Sequence, residues 1–139
     1  MGSNRSELPV WKVFLAAARQ ARARAAEPDA CALYRKTFEL IGEAGDEQPQ
    51  EAACALLHIA DYFRETNDLE LCVSACERAL ERFRRLNGSG PLWSVLTVAR
   101  LAELHEQKGD VERAEQDWKQ VRLMLSQQLE KLIDGSEPS

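Results

Sequence analysis

Apolar residues along the chain recur at spacings of three and four and never in sustained alternation. That period marks helices with one buried face, and its constancy predicts no β-sheet. The runs are cut at Glu27-Pro28-Asp29, at 42–49, at Asn67-Asp68, at 87–91 and at Gly109-Asp110. Gly, Pro, Asn and Asp end or cap helices, so these five breaks predict six helices. The first runs from about Pro9 to Ala26, and Pro9 suits a first turn because the amide it lacks has no intrahelical partner there. The next break is placed on Glu27-Pro28-Asp29, with Asp29 capping a second helix whose Tyr34, Phe38 and Ile41 share a face. The third begins near Pro49 and stops before Asn67. Asp68 is predicted to cap the fourth, which ends in Arg82, Arg84 and Arg85, cations suited to the negative end of a helix dipole. Pro91 opens the fifth, and Asp110 caps a sixth that runs to about Ile133. The expected organisation is one domain of hairpins at about 8–45, 49–87 and 91–133, between disordered ends at 1–7 and 134–139.

Sliding the sequence against itself by 42 residues superposes Asn67-Asp68 on Gly109-Asp110. The same shift pairs Ile59 with Leu101, Ala60 with Ala102, Leu69 with Val111, Cys72 with Ala114 and Cys76 with Trp118. Small residues fall on small residues and turns on turns, so a helical hairpin repeats. A small residue in mid-helix lets two axes approach closely. One hairpin alone cannot bury both of its faces and must stack on a neighbour.

These positions resemble the tetratricopeptide repeat. Residues 53–86 supply Ala60, Phe63, Asn67-Asp68, Cys72, Cys76, Ala79 and Leu80, and residues 95–128 supply Ala102, His105, Gly109-Asp110, Ala114, Trp118 and Val121. His105 and Cys76 stand where the family carries aromatics, and no proline follows either second helix. The 42-residue spacing exceeds the usual ~34 and is similar to that of kinesin light chains and related bacterial proteins. Residues 8–45 form a degenerate first hairpin, with Ala18 aligned to Ala60 and a turn about three residues longer. The resemblance implies an all-α, right-handed solenoid of helical hairpins. It also implies a concave groove, lined by the first helix of each hairpin, that takes an extended peptide or a helix.

Composition narrows the function. The 139 residues are 45% apolar and 29% charged, as in an ordinary globular domain. No apolar run approaches the ~18 residues of a membrane span, and no secretory signal pattern precedes the first charged helix. Cys31, Cys54, Cys72 and Cys76 contain no CxxC pair, so neither a disulfide framework nor a zinc module is expected, and the expected compartment is cytoplasmic. The net charge of −5 is uneven: residues 1–36 carry +4 and the remainder −9. Lys12, Arg19, Arg22 and Arg24 make the first helix basic, but no aromatics interleave with them, and no nucleic-acid partner is expected. Met1-Gly2-Ser3-Asn4-Arg5-Ser6 fits the N-myristoylation pattern at Gly2. A myristoyl chain with a basic helix would supply two anchoring signals. So short a pattern leaves the expectation at no membrane partner.

Candidate chemistry is thin. Cys72 and Cys76 lie four apart on one face with His58 on the preceding helix, yet both occupy small core positions of the repeat. His105 has no nucleophile pattern around it, and Asn87-Gly88-Ser89-Gly90-Pro91 lacks the Lys-Ser/Thr ending of a phosphate loop. No enzyme, cofactor or metal is expected. The resemblance places Leu57, Asp61, Arg64 and Glu65, then Leu96, Ala99, Arg100, Glu103 and Glu106, in the groove, with Cys54 and Gln107 beside them. That surface mixes apolar and acidic groups, so a basic or amphipathic segment complements it. The family's clamp for chaperone C-termini uses Lys and Asn on this face. Leu57 and Asp61 take two of those places and only Arg100 fits, which disfavours that ligand. The expected function is a non-enzymatic protein–protein interaction scaffold. The alternatives are a small chaperone holding a hydrophobic client segment, or a homo-oligomerisation module (a homodimer) joined through Trp93, Trp118, Leu125, Leu129 and Ile133.

Overall fold

Three residues set the repeat: Ala25, Asn67 and Gly109 have φ of 58°, 64° and 83°, and each follows the last by 42 positions. The amides of these residues donate to the carbonyls of Arg22, Arg64 and Glu106, each at 3.0 Å. The next amides, of Ala26, Asp68 and Asp110, reach back to Ala21, Phe63 and His105 at 2.9, 2.8 and 2.8 Å. One left-handed residue thus closes the first helix of every hairpin and satisfies its last carbonyls. The computed structural model describes residues 9–44, 49–86 and 90–134. Among them run α1 (Val10–Ala23), α2 (Glu27–Ala44), α3 (Pro49–Glu65), α4 (Leu69–Arg84), α5 (Gly90–Gln107) and α6 (Val111–Ile133), with no strand. The fold is an all-α, tetratricopeptide-like solenoid of helical hairpins. The Gly2 acylation pattern, residues 1–7 and residues 135–139 lie outside the described residues, while Asp134 ends α6 with its amide on the Glu130 carbonyl at 3.0 Å.

The first turn corrects an expectation. It is not Glu27-Pro28-Asp29, nor is it longer than the others. α2 starts at Glu27, in register with Leu69 and Val111. Pro28 sits inside the first turn, where its missing amide costs nothing. Asp29 lies in that turn too and caps nothing at the position predicted. The N-cap place falls to Ala26, whereas Asp68 and Asp110 accept the amides of Leu71 and Arg113 at 3.3 and 3.4 Å. Ala25 therefore bears the left-handed conformation without the glycine that tolerates it. Ala25→Gly should raise the unfolding free energy by about 0.5–1 kcal/mol, strain relief less the added freedom of the unfolded chain. Urea denaturation would measure it, and an unchanged midpoint would refute the strain.

Packing runs between neighbours in chain order. Ala18, Ala60 and Ala102, one per hairpin, are fully buried and set close approach within each pair. Cys72, Ala75, Cys76 and Ala79 do the same along α4. Between hairpins the filler is aromatic. Tyr34 of α2 stacks on Tyr62 of α3 with centroids 4.1 Å apart, and Phe38 meets Phe63 edge-on. Phe83 of α4 stacks on Trp93 of α5 at 5.6 Å.

Candidate protein-binding groove

The core takes one arc of α3, from Ala52 and Ala53 through Leu56, Ile59 and Ala60 to Phe63. Residues on the opposite arc recur at helical spacing: Glu51, Cys54, His58, Asp61 and Glu65. Ion pairs show what lies on either side. Lys12 and Arg22 of α1 pair with Glu51 and Glu65, while Arg100 of α5 donates to Asp61 at 2.5 Å. Hence α1, α3 and α5, the first helix of each hairpin, line one face, with α3 in the middle.

Leu57, Asp61, Arg64 and Glu65 lie on this arc of α3, and Leu96, Ala99, Arg100 and Glu103 lie on the solvent-facing arc of α5. Leu96 is 58% exposed, while Leu57 and Ala99 are half-buried and packed on the core margin. Glu106 is directed elsewhere, since its carboxylate accepts the Trp118 indole N–H of α6 at 3.1 Å. Cys54 is exposed and shares a cavity of about 510 Å³ with Trp11, Leu15 and Arg19 between α1 and α3. Lys12, Arg19 and Arg22 of α1, with Glu51 and His58 of α3, were missed by sequence reasoning as members of this face. The 42-residue shift itself could have found the first helix, because it maps Asp61 onto Arg19, Leu57 onto Leu15 and Arg64 onto Arg22.

The ion pairs are half-exposed, and pairs of this kind contribute up to about 1 kcal/mol each. Their larger effect is positional, holding neighbouring first helices in register. They also neutralise Asp61 and Glu65, two of the acids behind the expectation of a basic ligand. Arg19, Arg64 and Glu103 have no ion pair among the described residues.

Burial, reinforced by Arg19 and Arg22, holds the His58 imidazole below its ordinary pKa. In the neutral ring Nε2 accepts the Tyr34 hydroxyl at 3.0 Å. A group whose folded pKa is lowered binds its proton more readily in the unfolded chain, so its contribution is full above the ordinary histidine value and is lost as pH falls. His58→Gln should therefore lose less stability than the parent between about pH 8 and 5. Denaturation midpoints across that range would show it, and parallel slopes would rule the effect out.

The remaining polar groups serve packing. The Tyr62 hydroxyl donates to Glu27 at 2.9 Å, and burial together with that carboxylate pushes its pKa up. The Cys54 thiol is also pushed up, by burial and then Glu51, so it is a poor nucleophile. Cys76 moves in the same direction through its hydrogen bond to Cys72 and its burial. His105 is 5% exposed and lies in the core rather than the groove, its Nδ1 donating to Asp117 at 2.7 Å. Among the described residues no three His, Cys, Asp or Glu side chains converge on a metal-sized space. No described helix is long and apolar enough to cross a membrane.

A helical-hairpin solenoid with a charged and apolar face on its first helices is thus the class of structure in hand. No protein-family model matches the chain, and no curated protein is detectably similar in sequence. Among solved structures it is similar to the N-terminal domain of stress-induced protein-1 (STI-1) from C. elegans. The TM-score is 0.61 at 18% identity, over 83% of this chain and 84% of that one. At that identity the likeness concerns the fold alone.

Proposed function

We propose that the chain is a non-enzymatic, cytoplasmic protein-interaction module, a single domain of three hairpins. Its α1–α3–α5 face receives an extended peptide or an amphipathic helix of a partner protein. The 42-residue register, held through three turns of the same backbone hydrogen bonding, supports reading it among the long-spaced tetratricopeptide repeats. One observation carries the groove reading: exposed Leu96, with Leu57 and Ala99, lies beside the Asp61–Arg100 pair on the first-helix face. Apolar contact supplies affinity in such a groove, and charges set register and exclude wrong partners. Because Asp61 and Glu65 are already paired, the segment we infer is amphipathic with a basic residue opposite Glu103. Affinity capture from native lysate tests this. A partner held by the parent and by the α6 control Arg113→Ala should be lost, by about tenfold or more, on Asp61→Lys with Glu103→Lys. Equal capture by all three would sink the groove reading.

A second reading has one observation behind it. Leu125, Leu129, Leu132 and Ile133 of α6 are 44%, 56%, 66% and 80% exposed. One repeat earlier, Phe83 holds the register of Leu125 and is fully buried against Trp93. On this reading a second copy of the chain covers α6. Trp118, bonded to Glu106, and Trp93, stacked on Phe83, are already engaged within the chain. Sedimentation as a monomer at high concentration would end it.

A further inference from the structure

We propose that the opposite face carries a second site, an anion pocket between α2 and α4 that takes a phosphate group, free or esterified. It is independent of the groove. The two helices leave a cavity of about 700 Å³ whose lining includes Arg35, Arg78, Arg82 and Phe38.

Arg82 is the central observation. It is 7% exposed, so its charge is withdrawn from water. Its Nη2 and Nη1 reach the carbonyls of Ile41 and Arg78 at 3.4 and 3.5 Å, the outer limit of hydrogen bonding, and its Nε has no partner. A buried guanidinium left this poorly satisfied is costly, and an anion is the group that relieves it. Arg78 lies over the Phe38 ring at 4.3 Å. The two acids that also line the cavity are paired with cations of their own helices, Glu39 with Lys36 at 3.0 Å and Glu81 with Arg85 at 3.4 Å. Arg35 pairs with Asp68 at 3.1 Å. Among the described residues, Arg78 and Arg82 have no carboxylate partner.

Gly42 of α2 fits the same picture. A Cβ there would stand 2.7 Å from Arg78 Nη1. Glycine inside a helix is destabilising relative to alanine, and here its bareness is what lets the Arg78 guanidinium lie across α2. Guanidinium forks match the oxygens of phosphate in geometry and charge. A phosphate also has an oxygen for each of the three arginines around the cavity, which a carboxylate lacks. Phe38 offers an apolar wall to whatever carries the ester.

Amide chemical shifts of the whole chain, titrated separately with inorganic phosphate and with phosphoserine, test the site. Saturable shifts are expected at Gly42, Leu71, Arg78 and Arg82. Saturation by both ligands, or by inorganic phosphate alone, identifies the free ion as sufficient; saturation by phosphoserine alone identifies an ester. Arg78→Gln should weaken binding about tenfold, the loss of one charge-assisted contact, with an unchanged helical spectrum. Arg82→Gln should weaken it further. Because removing a buried guanidinium can itself unfold the chain, exposed Arg78 carries the decision. The proposal is overturned by the absence of saturable shifts with either ligand. Shifts that persist unweakened in Arg78→Gln, or that chloride reproduces at equal ionic strength, overturn it as well.

Discussion

Phe83→Ala is expected to lower the unfolding free energy by about 3–5 kcal/mol, the range for removing a fully buried phenylalanine. Phe83 is completely buried and provides the α4 half of the ring stack against Trp93 of α5, with centroids 5.6 Å apart and planes 13° from parallel. Its loss removes transfer energy, leaves a cavity and forfeits an aromatic pair worth about 0.5–1.5 kcal/mol beyond area. Against a typical total of about 5–15 kcal/mol, that is a large fraction of what holds the chain folded. The loss is also local. In a solenoid each hairpin contacts only its neighbours, so weakening the α4–α5 joint releases α5 and α6 before it releases α1 and α2. Hydrogen exchange should therefore accelerate first at the amides of α5, around Val98 and Leu101, and later at those of α1. Uniform acceleration along the chain would contradict the quasi-linear picture, and a loss under about 1 kcal/mol would contradict the packing of Phe83.

How much of this was legible depends on which residues carry a signal of their own. Asp68 and Asp110 announce their turns twice, by an oxygen that caps the next helix and by the preceding Asn or Gly that accepts positive φ. Ala25 and Ala26 occupy the same two places in the first hairpin and announce neither, since alanine has no capping oxygen and resists the left-handed region. Pro28 then drew the break onto itself, although a proline is as compatible with the start of a helix as with a gap between two. Backbone hydrogen bonding identical to that of the other turns shows that the first hairpin is in strict register despite its side chains. The groove divides the same way. Positions on α3 and α5 follow from the repeat, because period and phase determine which arc of a helix faces outward. The pairing of Asp61 with Arg100, or of Glu65 with Arg22, depends on distances between helices that no periodicity encodes. Glu106, at the edge of its arc, was turned from groove to α6 by a single indole N–H. The arginine-lined cavity carried still less signal, since Arg78 and Arg82 look like ordinary cations near a helix C-terminus.

Tyr62→Ala should cost about as much as Phe83→Ala, roughly 3–5 kcal/mol, but release the other end of the molecule. Tyr62 is 1% exposed and binds α2 in two ways. Its ring stacks on Tyr34 at 4.1 Å and 18°, and its hydroxyl donates to Glu27 in the first turn of α2 at 2.9 Å. The joint extends through Tyr34 to His58 and, on the first-helix face, through Arg22 to Glu65. Tyr62→Phe separates the two contributions. It keeps the stack and removes only the hydrogen bond, so its expected cost is about 0.5–1.5 kcal/mol, or up to about 3 if the Glu27 carboxylate draws full charge-assisted strength from it. Truncation to alanine removes both and empties the space between α2 and α3. Exposure of α1 and α2 should follow, read as earlier proteolytic cleavage in the first hairpin while α5 and α6 stay protected. The first helix supplies Lys12, Arg19 and Arg22 to the groove face, so a partner that needs this edge should weaken with Tyr62→Ala and bind Tyr62→Phe normally. Equal stability of the two variants would mean that the ring stack contributes nothing and that the first hairpin is held by its remaining contacts, among them Phe38 on Phe63 and the ion pairs of α1.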